Sequence, residues 1–188
     1  GRPTDGKKFL PSYALVDIET GKAVGTKTRF KVRWDDEGAV IFEITCDEPD
    51  MENLYVTDDV WTGDSVAVQL ETQGHAYYQI EVNPDGKIFD ADRHGRMNQR
   101  WESNATVKTE RGDDFWSVVV RIPVVDAEEG AADPNHHVVG AKPGMDTPWY
   151  INVGRTRVRS SGKASWSFPH TGKPSYHVPE RFAKMVIE

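Results

Sequence analysis

Two aromatic residues stand in polar loops of the sequence, where the pattern of a buried strand does not explain them. Trp61 lies in the acidic segment Thr57–Asp64, and Tyr176 lies in His170–Pro179, which contains glycine and proline. A pyranose ring has an apolar C–H face and a polar rim of hydroxyl groups, so two flat side chains could hold its faces. The two rings are therefore candidates for a sugar clamp. Alternatively, they plug the ends of the fold.

Acidic clusters are candidates for binding a hard cation, because Ca²⁺ prefers several oxygen ligands. Such side chains occur in three places, namely Asp47 with Glu48, Asp58 and Asp59 with Asp64, and Asp90 with Asp92. We select Asp47, Glu48 and Asp64 as candidate ligands of a structural calcium ion. None of the clusters has the spacing of an EF-hand loop, and solvated acidic turns explain any one of them equally well.

The histidines do not have the spacing of a zinc site. They are His75, His94, His136, His137, His170 and His177. Met97 together with the loop histidines leaves a haem-binding electron-transfer domain as an alternative function.

Signatures of catalysis are missing from the sequence. There is no glycine-rich phosphate loop, nucleophile elbow or zinc-hydrolase motif. The 30 acidic residues do not identify a glycosidase, because that chemistry requires two carboxyl groups at a defined separation. The sequence therefore favours a binding function, with a glycoside-active enzyme of unfamiliar type as a further alternative.

Composition narrows the choice of partners. A length of 188 residues suits one domain. The net charge of −7 gives no basic stripe for nucleic acid, and no run of about 18 apolar residues is present to insert into a membrane. The single cysteine, Cys46, ends the apolar run Val40–Cys46 and is predicted to be a small buried residue.

Period-two alternation dominates the chain, and no segment keeps a helical period for three turns. Trp34, Trp116 and Tyr150 lie within such alternating segments and are predicted to be core residues. The prediction is an all-β fold, an antiparallel, jelly-roll-like β-sandwich with long end loops. Its strands are predicted at Thr28–Trp34, Ala39–Cys46, Ser65–Glu71, Ala76–Asn83, Lys87–Asp92, Ala105–Glu110, Trp116–Ile122, Trp149–Arg159 and Lys184–Ile187.

Turn signals divide the chain further. Asp35–Gly38 and Asn83–Gly86 each place a glycine after acidic or amide residues, which predicts two hairpins. Asp126–Thr147 is rich in glycine and proline and is predicted to be a long end loop with room for one helical turn.

The N-terminal part is predicted to be an extension of the sandwich. We divide the chain into residues 1–25, an extension with an edge strand, and residues 26–188, the sandwich, within a single domain. The polar segment Gly1–Lys8 is expected to fray, and Phe9–Val16 is expected to dock as the edge strand.

Nine short landmarks follow one another with strand-like spacing. They are Phe30–Asp36, Cys46–Pro49, Val60–Val66, Tyr78–Gly86, Phe115–Val118, Ile122–Pro123, Asn152–Arg155, Ser165–Trp166 and Pro179–Phe182. In this order they resemble the family 9 carbohydrate-binding modules and their relatives in bacterial polysaccharide-degrading proteins. The resemblance covers about Thr26 to Glu188, and it implies a β-sandwich that binds sugars between two aromatic side chains, with calcium ions as structural supports.

The resemblance also implies roles for individual residues. The clamp falls on Trp61 and Tyr176, and the polar floor falls on Gln79, Glu81 and Lys173. Tyr176 departs from the family's usual tryptophan. In addition, the family is expected to have a basic residue near position 81, and this chain has an acidic one there. Further departures are Ala67, where glutamate is usual, and Ala183, where glycine is common.

The resemblance finally implies a biological setting. A module of this kind is non-catalytic and binds a mono-, oligo- or polysaccharide. It accompanies a catalytic module, such as a glycoside hydrolase, and it is a secreted, periplasmic or cell-surface protein of a bacterium.

Overall fold

The alternating segments of the sequence form two sheets in the computed structural model, which describes residues 11–73 and 75–188. The strands of the first sheet are β1 (Tyr13–Ala14), β3 (Thr28–Trp34), β4 (Ala39–Asp47), β8 (Thr106–Arg111), β9 (Phe115–Val125) and β10 (Val138–Val139). Those of the second are β2 (Val16–Asp17), β5 (Ser65–Glu71), β6 (Tyr78–Val82), β7 (Ile88–Asp92), β11 (Trp149–Arg159), β12 (Gly162–Phe168) and β13 (Ala183–Met185). The α-helix α1 spans Ala127–Ala132, and 3₁₀ turns lie at Met51–Asn53, Val60–Thr62 and Pro179–Arg181.

The strand order of the first sheet is β1-β3-β4-β9-β10, and β8 also pairs with β9. Its pairs are antiparallel apart from β9 with β10, which is parallel. The order of the second sheet is β2-β12-β11-β5-β6-β7, with β13 pairing beside β12 on β11. The pairs of the second sheet are all antiparallel.

The inner faces of both sheets supply one hydrophobic core. Along β6, the side chains of Tyr78, Ile80 and Val82 are buried in this core, which turns the side chains between them to the outer face. Trp116 and Trp149 are fully buried at its centre, and Cys46 is a buried free cysteine as predicted. The predicted β-sandwich is confirmed.

Both predicted hairpins are present. Gly38, between β3 and β4, and Gly86, between β6 and β7, each have a φ of +80°, the left-handed conformation in which a side chain is strained. The predicted bounds of β3, β5 and β11 match the structure, and the remaining predicted strands differ by a few residues at their ends. The long loop after β9 contains α1, whose Asp126 side chain accepts hydrogen bonds from the amides of Glu128 and Glu129.

The prediction that Tyr150 is a core residue is wrong. Its neighbour Trp149 takes the inward position on β11, so Tyr150 points outward and is 39% exposed. Strand β12 has no counterpart among the predicted strands, because its serines and glycine are weak β-formers. The alternating apolar residues Ala164, Trp166 and Phe168 indicate this strand in the sequence, and in the structure they pack in or against the core.

The N-terminal segment is divided between the sheets. Gly1–Lys8 and the first part of Phe9–Val16 lie outside the described residues. From Tyr13 onward, β1 pairs with β3 in one sheet and β2 pairs with β12 in the other, with the buried Leu15 between them. The expected single edge strand is thus two short strands that join both sheets.

Candidate functional site

A cleft of about 820 Å³ lies on the outer face of the second sheet. Strands β6, β7, β11 and β12 contribute to it, together with the turn after β2 and the loops around Trp61, Met97 and Tyr176. Its lining residues are Asp17, Ile18, Glu19, Trp61, Gln79, Glu81, Phe89, Arg93, Met97, Gln99, Thr156, Lys163, Ala164, Ser165, Pro174, Ser175, Tyr176 and His177. Four of the five residues predicted for a sugar site therefore meet in one cleft.

The floor of the cleft is a chain of polar side chains on the outer face of β6 and its neighbours. The Nε and Nη2 groups of Arg93 donate to Gln79 Oε1, at 2.9 and 2.5 Å. Gln79 Nε2 donates to Glu81 Oε2 at 3.2 Å, and Ser65 Oγ donates to Glu81 Oε1 at 2.7 Å. Each member fixes the orientation of the next, so acceptors and donors are set in place before a ligand arrives.

Glu81 is the most buried carboxylate of the cleft, with 4% of its surface exposed. Burial raises its pKa, and the hydrogen bonds from Ser65 and Gln79 and the charges of Lys163 and Arg93 oppose the increase without cancelling it. Both carboxylate oxygens accept hydrogen bonds, which is the arrangement of the ionised form.

Trp61 forms a wall of the cleft on a rigid 3₁₀ turn. Its neighbour Val60 is buried, whereas the indole is 44% exposed and lies edge-on to Phe89, with ring centroids 4.7 Å apart. Gly63 closes the turn because a Cβ there would lie 2.4 Å from the Tyr55 carbonyl oxygen. The amide of Tyr55 donates to the buried Asp64 carboxylate at 2.7 Å, which holds the loop from behind.

Tyr176 forms the opposite part of the cleft but is half-buried. Its ring packs on the backbone of Gly154, where a Cβ would lie 2.4 Å from a ring carbon. Its hydroxyl donates to the Arg155 carbonyl oxygen at 2.6 Å and lies 3.1 Å from Thr156 Oγ1. Burial raises the pKa of Tyr176, so the hydroxyl stays neutral. The phenol is therefore held in place more firmly, and exposed less, than the indole of Trp61.

His177 extends the polar floor beside Tyr176. Its Nδ1 lies 3.0 Å from the Tyr77 hydroxyl and 3.3 Å from Gln69 Nε2, while Nε2 lies 3.5 Å from Arg93. His177 is exposed at the rim of the cleft, but desolvation of its ring by the surrounding side chains, followed by the charge of Arg93, lowers its pKa to about 4. The imidazole is consequently neutral at pH 7 and can accept or donate a hydrogen bond.

The remaining predicted floor residue, Lys173, is exposed on the loop that carries Tyr176 and is not among the residues lining the cleft. Its role stays a prediction. Sequence reasoning missed Phe89, Arg93, Lys163 and His177. Phe89 and Arg93 follow the outward period of β7, so extending the alternation of the predicted strand by one residue would have placed both on the cleft face.

The three residues predicted to bind calcium lie at a different place, among arginines. Glu48 is fully buried and pairs with Arg155, Arg157 and Arg159 at 2.9, 2.8 and 2.6 Å. Asp64 pairs with Arg159 at 2.7 Å. We call the following five residues the arginine cluster: Glu48, Asp64, Arg155, Arg157 and Arg159. Asp47 lies beside it and pairs with Arg29 at 2.8 Å.

Charge balance in the arginine cluster is nearly complete. Arg155 Nη1 donates to Thr28 Oγ1 and to the Asp47 carbonyl oxygen, and its guanidinium lies 4.9 Å from the centre of the Trp166 ring. Burial alone would raise the pKa of Glu48, but the hydrogen bonds from Arg157 and Asp50 and the charges of Arg159 and Arg157 lower it to about 2. The carboxylate is therefore ionised throughout the physiological range.

This arrangement does not fit a calcium ion at the three predicted ligands. The oxygens of Glu48 and the Oδ2 of Asp64 already accept hydrogen bonds from guanidinium or amide groups. Within the described residues, no group of three or more histidine, cysteine or acidic side chains has the geometry of a metal site. Calcium binding stays a prediction of the sequence.

Comparisons with known proteins bear on the fold. No protein-family model matches the chain, and no curated protein matches it either. The chain is similar to the crystal structure of an inferred carbohydrate-binding protein from Bacteroides uniformis, with a TM-score of 0.69 and 17% identity over 95% of this chain and 87% of that one.

The chain is also similar to a family 9 carbohydrate-binding module from Caldicellulosiruptor kristjanssonii. Its complex with cellotriose gives a TM-score of 0.63 at 17% identity, over 95% of this chain and 83% of that chain. Its complex with glucose gives 0.61 at 15% identity, over 93% of this chain and 83% of that chain. The resemblance read from the sequence is thus confirmed as a likeness of fold, and this chain has the β-sandwich of the family 9 modules.

Proposed function

We propose that this protein binds carbohydrate, without catalysing a reaction, in the cleft on the outer face of the second sheet. The observation that carries the proposal is the exposed indole of Trp61 at the edge of a cleft whose floor is a chain of oriented polar side chains. An apolar ring beside hydrogen-bonding groups matches the two surfaces of a sugar. The similar solved structures include a module in complex with cellotriose and with glucose, which supports the same ligand class.

The proposed clamp consists of Trp61 and Tyr176. If each ring covers about 50 Å² of sugar, area bookkeeping gives about 1 kcal/mol for each ring before the cost of association. Because Trp61 is the more exposed ring, it makes the larger contribution. Affinity for a single sugar is therefore weak to moderate.

The proposed polar contacts come from Gln79 and Glu81, with Lys173 reaching in from the rim of the loop. The Glu81 carboxylate accepts hydrogen bonds from sugar hydroxyls, and the amide of Gln79 is held in one orientation by Arg93. A site built to hydrogen-bond a hydroxyl group discriminates strongly against a sugar that lacks it.

Calorimetry with a glycan identified on a glycan array tests the proposal. We expect Trp61→Ala to weaken binding by about tenfold, and Tyr176→Ala to weaken it less, because a stacked ring contributes about 1 kcal/mol or somewhat more. The matched control is Tyr150→Ala, which removes an exposed aromatic residue outside the cleft. Circular dichroism checks that the variants are folded. Wild-type affinity in both folded cleft variants would refute the clamp.

We place this binding function in an accessory module of a polysaccharide-degrading enzyme, in a secreted, periplasmic or cell-surface protein. Polysaccharides are extracellular substrates, and a module that holds the chain raises the local concentration of substrate for a linked catalytic domain. No helix in the described residues is long and apolar enough to cross a membrane. The full reading frame and fractionation of the source cells test this setting.

A second candidate function is haem binding, because Met97 and the neutral His177 line the same cleft. Methionine and histidine are axial ligands of haem in electron-transfer proteins. The buried polar floor favours a sugar over a porphyrin, which prefers an apolar pocket. Titration with haemin separates the two, since a Soret band that is lost in Met97→Ala would favour haem.

A glycoside-active enzyme is the remaining alternative. Asp17, Glu19 and Glu81 are carboxylates that line the cleft, and burial raises the pKa of Glu81, as it does in a general acid. Release of reducing sugar from a polysaccharide panel, lost in Glu81→Gln, would favour catalysis over binding.

A further inference from the structure

The segment 93–100 forms one end of the cleft and is basic. It contributes Arg93, Met97 and Gln99 to the lining. Reciprocal backbone hydrogen bonds between Asp92 and Asn98, at 3.1 and 2.8 Å, close the loop that begins where β7 ends. Its sequence, Arg-His-Gly-Arg-Met-Asn-Gln-Arg, contains three arginines and no acidic residue. This end of the cleft therefore has a positive field.

The arginines of this segment differ from those elsewhere in the protein. The chain has 30 acidic and 23 basic residues, and carboxylates pair with most of the arginines in the described part. The paired arginines are Arg29, Arg33, Arg111, Arg121, Arg155, Arg157 and Arg159. In contrast, Arg93, Arg96 and Arg100 form no ion pair with any residue in 11–73 or 75–188, which among the other described arginines holds only for Arg181. Three arginines without an ion pair thus lie on one segment of an acidic protein, with Arg93 in the cleft lining and Arg96 and Arg100 next in sequence to the lining residues Met97 and Gln99.

These arginines have donors that the described part of the protein does not use. Arg93 uses Nε and Nη2 to hold Gln79, which leaves Nη1 without a hydrogen bond in the described part of the chain. Arg96 and Arg100 are exposed. A guanidinium group binds carboxylate and sulfate groups through directed, charge-assisted hydrogen bonds. The segment is therefore suited to an anionic substituent on a ligand that extends out of the cleft.

The other end of the cleft carries Asp17 and Glu19 in the turn after β2. Lys163, on the neighbouring strand β12, partly offsets these two carboxylates, so the excess of positive charge is at the segment 93–100 and an anionic group is attracted more strongly there. On the basis of the proposed carbohydrate-binding function, we infer that the ligand is an acidic glycan. The sugar in the cleft lies between Trp61 and Tyr176, and the adjoining residues carry their carboxylate or sulfate groups over Arg93, Arg96 and Arg100.

Matched pairs of glycans test this inference. The first pair is oligogalacturonate and its methyl ester, which differ in the carboxylate alone, and the second is a sulfated galactan oligosaccharide and its neutral counterpart. Calorimetry at about 50 mM and about 500 mM NaCl measures each affinity, because the screening length falls severalfold between these concentrations. We expect an acidic member to bind about tenfold tighter than its neutral partner at low salt, and to lose most of that advantage at high salt. The pair that shows the difference identifies carboxylate or sulfate as the recognised group.

Two double variants of equal charge change locate the effect. Arg96→Gln/Arg100→Gln removes two charges at the cleft and should weaken binding of the acidic glycan about fivefold to tenfold, without changing binding of the neutral one. Lys108→Gln/Lys142→Gln removes two exposed charges outside the cleft lining and should change neither. Trp61→Ala should weaken both ligands.

The outcomes separate the inference from the proposed function. Binding of neutral glycans with equal affinity at both salt concentrations, unaffected by Arg96→Gln/Arg100→Gln, overturns the acidic ligand and leaves carbohydrate binding intact. Failure to retain any glycan overturns both. Retention of acidic glycans that is indifferent to Trp61→Ala is adsorption to a charged surface, and it also contradicts both.

Discussion

Glu48 and Glu81 are both almost fully buried, with 0% and 4% of their surfaces exposed, but their surroundings differ. Glu48 lies among three arginines, which lower its pKa to about 2. Glu81 receives two neutral hydrogen bonds, from Ser65 and Gln79, and burial raises its pKa. The ionised form of the first carboxylate is stabilised by the fold, whereas the ionised form of the second is disfavoured by its burial.

This difference distinguishes the structural arginine cluster from the proposed binding cleft. Around Glu48, three guanidinium groups compensate the carboxylate, whereas burial raises the pKa of Asp64, the other acid of the arginine cluster, despite its pair with Arg159. In the cleft, a buried carboxylate lies at the edge of an open volume, and its charge is compensated by more distant cations. Sites that bind ligands commonly retain such incompletely compensated groups, because the ligand supplies the missing contacts.

Replacing each glutamate by glutamine should separate the two sites most clearly. Glu48→Gln leaves the buried Arg155 and the partly buried Arg157 and Arg159 without their carboxylate and should lower the free energy of unfolding by about 3–5 kcal/mol. Glu81→Gln removes a partly compensated carboxyl group. It should change the free energy of unfolding by less than about 1 kcal/mol at pH 7, while weakening sugar binding. Urea denaturation measures both values. Glu43→Gln, in an exposed pair with Arg33, is the matched control and should cost at most about 1 kcal/mol.

The comparison fails if the two variants lose similar stability. A loss of several kcal/mol in Glu81→Gln would mean that the cleft floor is part of the structural core. Near-normal stability in Glu48→Gln would mean that the arginines find other partners.

The pH dependence of unfolding should show the opposite pKa shifts. The pKa of Glu48 is lowered from its ordinary value of 4.5 to about 2, so its stabilising contribution is present above 4.5 and is lost as the pH falls toward 2. The shift corresponds to about 3 kcal/mol, and this part of the curve should disappear in Glu48→Gln. The pKa of Glu81 is raised, so its contribution to stability is present below 4.5 and is lost as the pH rises through the folded value.

The pH dependence of sugar affinity should be opposite to that of the Glu81 contribution to stability. Sugar hydroxyls donate to the ionised carboxylate, so binding should strengthen as the pH rises through the pKa of Glu81, and in Glu81→Gln only the change near pH 4, where His177 titrates, should remain. Calorimetry and urea denaturation over about pH 3 to 8 supply both curves. Parallel pH dependence of the wild type and both variants would contradict the two assignments.

Tyr176 connects the cleft to the scaffold, and Gly154→Ala tests that connection. The added Cβ would lie 2.4 Å from the Tyr176 ring, so the ring must move. We expect a loss of about 1–3 kcal/mol in stability and a weaker sugar affinity, as in other overpacked sites. Gly25→Ala is the control, because a Cβ there meets no atom within 4 Å. Unchanged affinity in folded Gly154→Ala would show that the position of Tyr176 does not matter for binding.

The sequence predicts most of the scaffold because alternation and turn chemistry are local signals. The hairpins at Gly38 and Gly86 need left-handed backbone, which glycine provides at low cost, and the strands around them alternate clearly. Strand β12 carries the same alternation in weaker residues, and the split of the N-terminal strand depends on which sheet edges are open, which is a property of the assembled fold. Tyr150 shows that a strand pattern gives alternation without always showing which of two neighbouring aromatics faces inward.

The candidate site was partly predictable for the same reason. Trp61 was found because its loop context is visible in the sequence, and Gln79 and Glu81 were found through the resemblance to the family 9 modules. Arg93 and His177 meet only because the loop after β7 and the loop before β13 lie over the same face of the sheet, across 84 residues of sequence. The pairing of Glu48 with arginines from β11 is also non-local, and a cluster of acidic residues looks the same in the sequence whether it binds a cation or a guanidinium group.

Removal of calcium should have the smallest effect on stability. It tests whether Glu48 and Asp64 of the arginine cluster also bind a metal ion. Guanidinium groups already compensate Glu48 and Asp64, so we expect chelation by EDTA to shift the melting temperature by less than about 1 °C. A decrease of several degrees that is restored by added Ca²⁺ would instead support the calcium site predicted from Asp47, Glu48 and Asp64. Repeating the melt with Asp47→Asn locates such a site, because Asp47 is the half-exposed member of the three and its loss leaves the arginine cluster in place. If chelation destabilises the wild type but not Asp47→Asn, the ion binds beside the cluster, and the buried carboxylates have a second cationic partner.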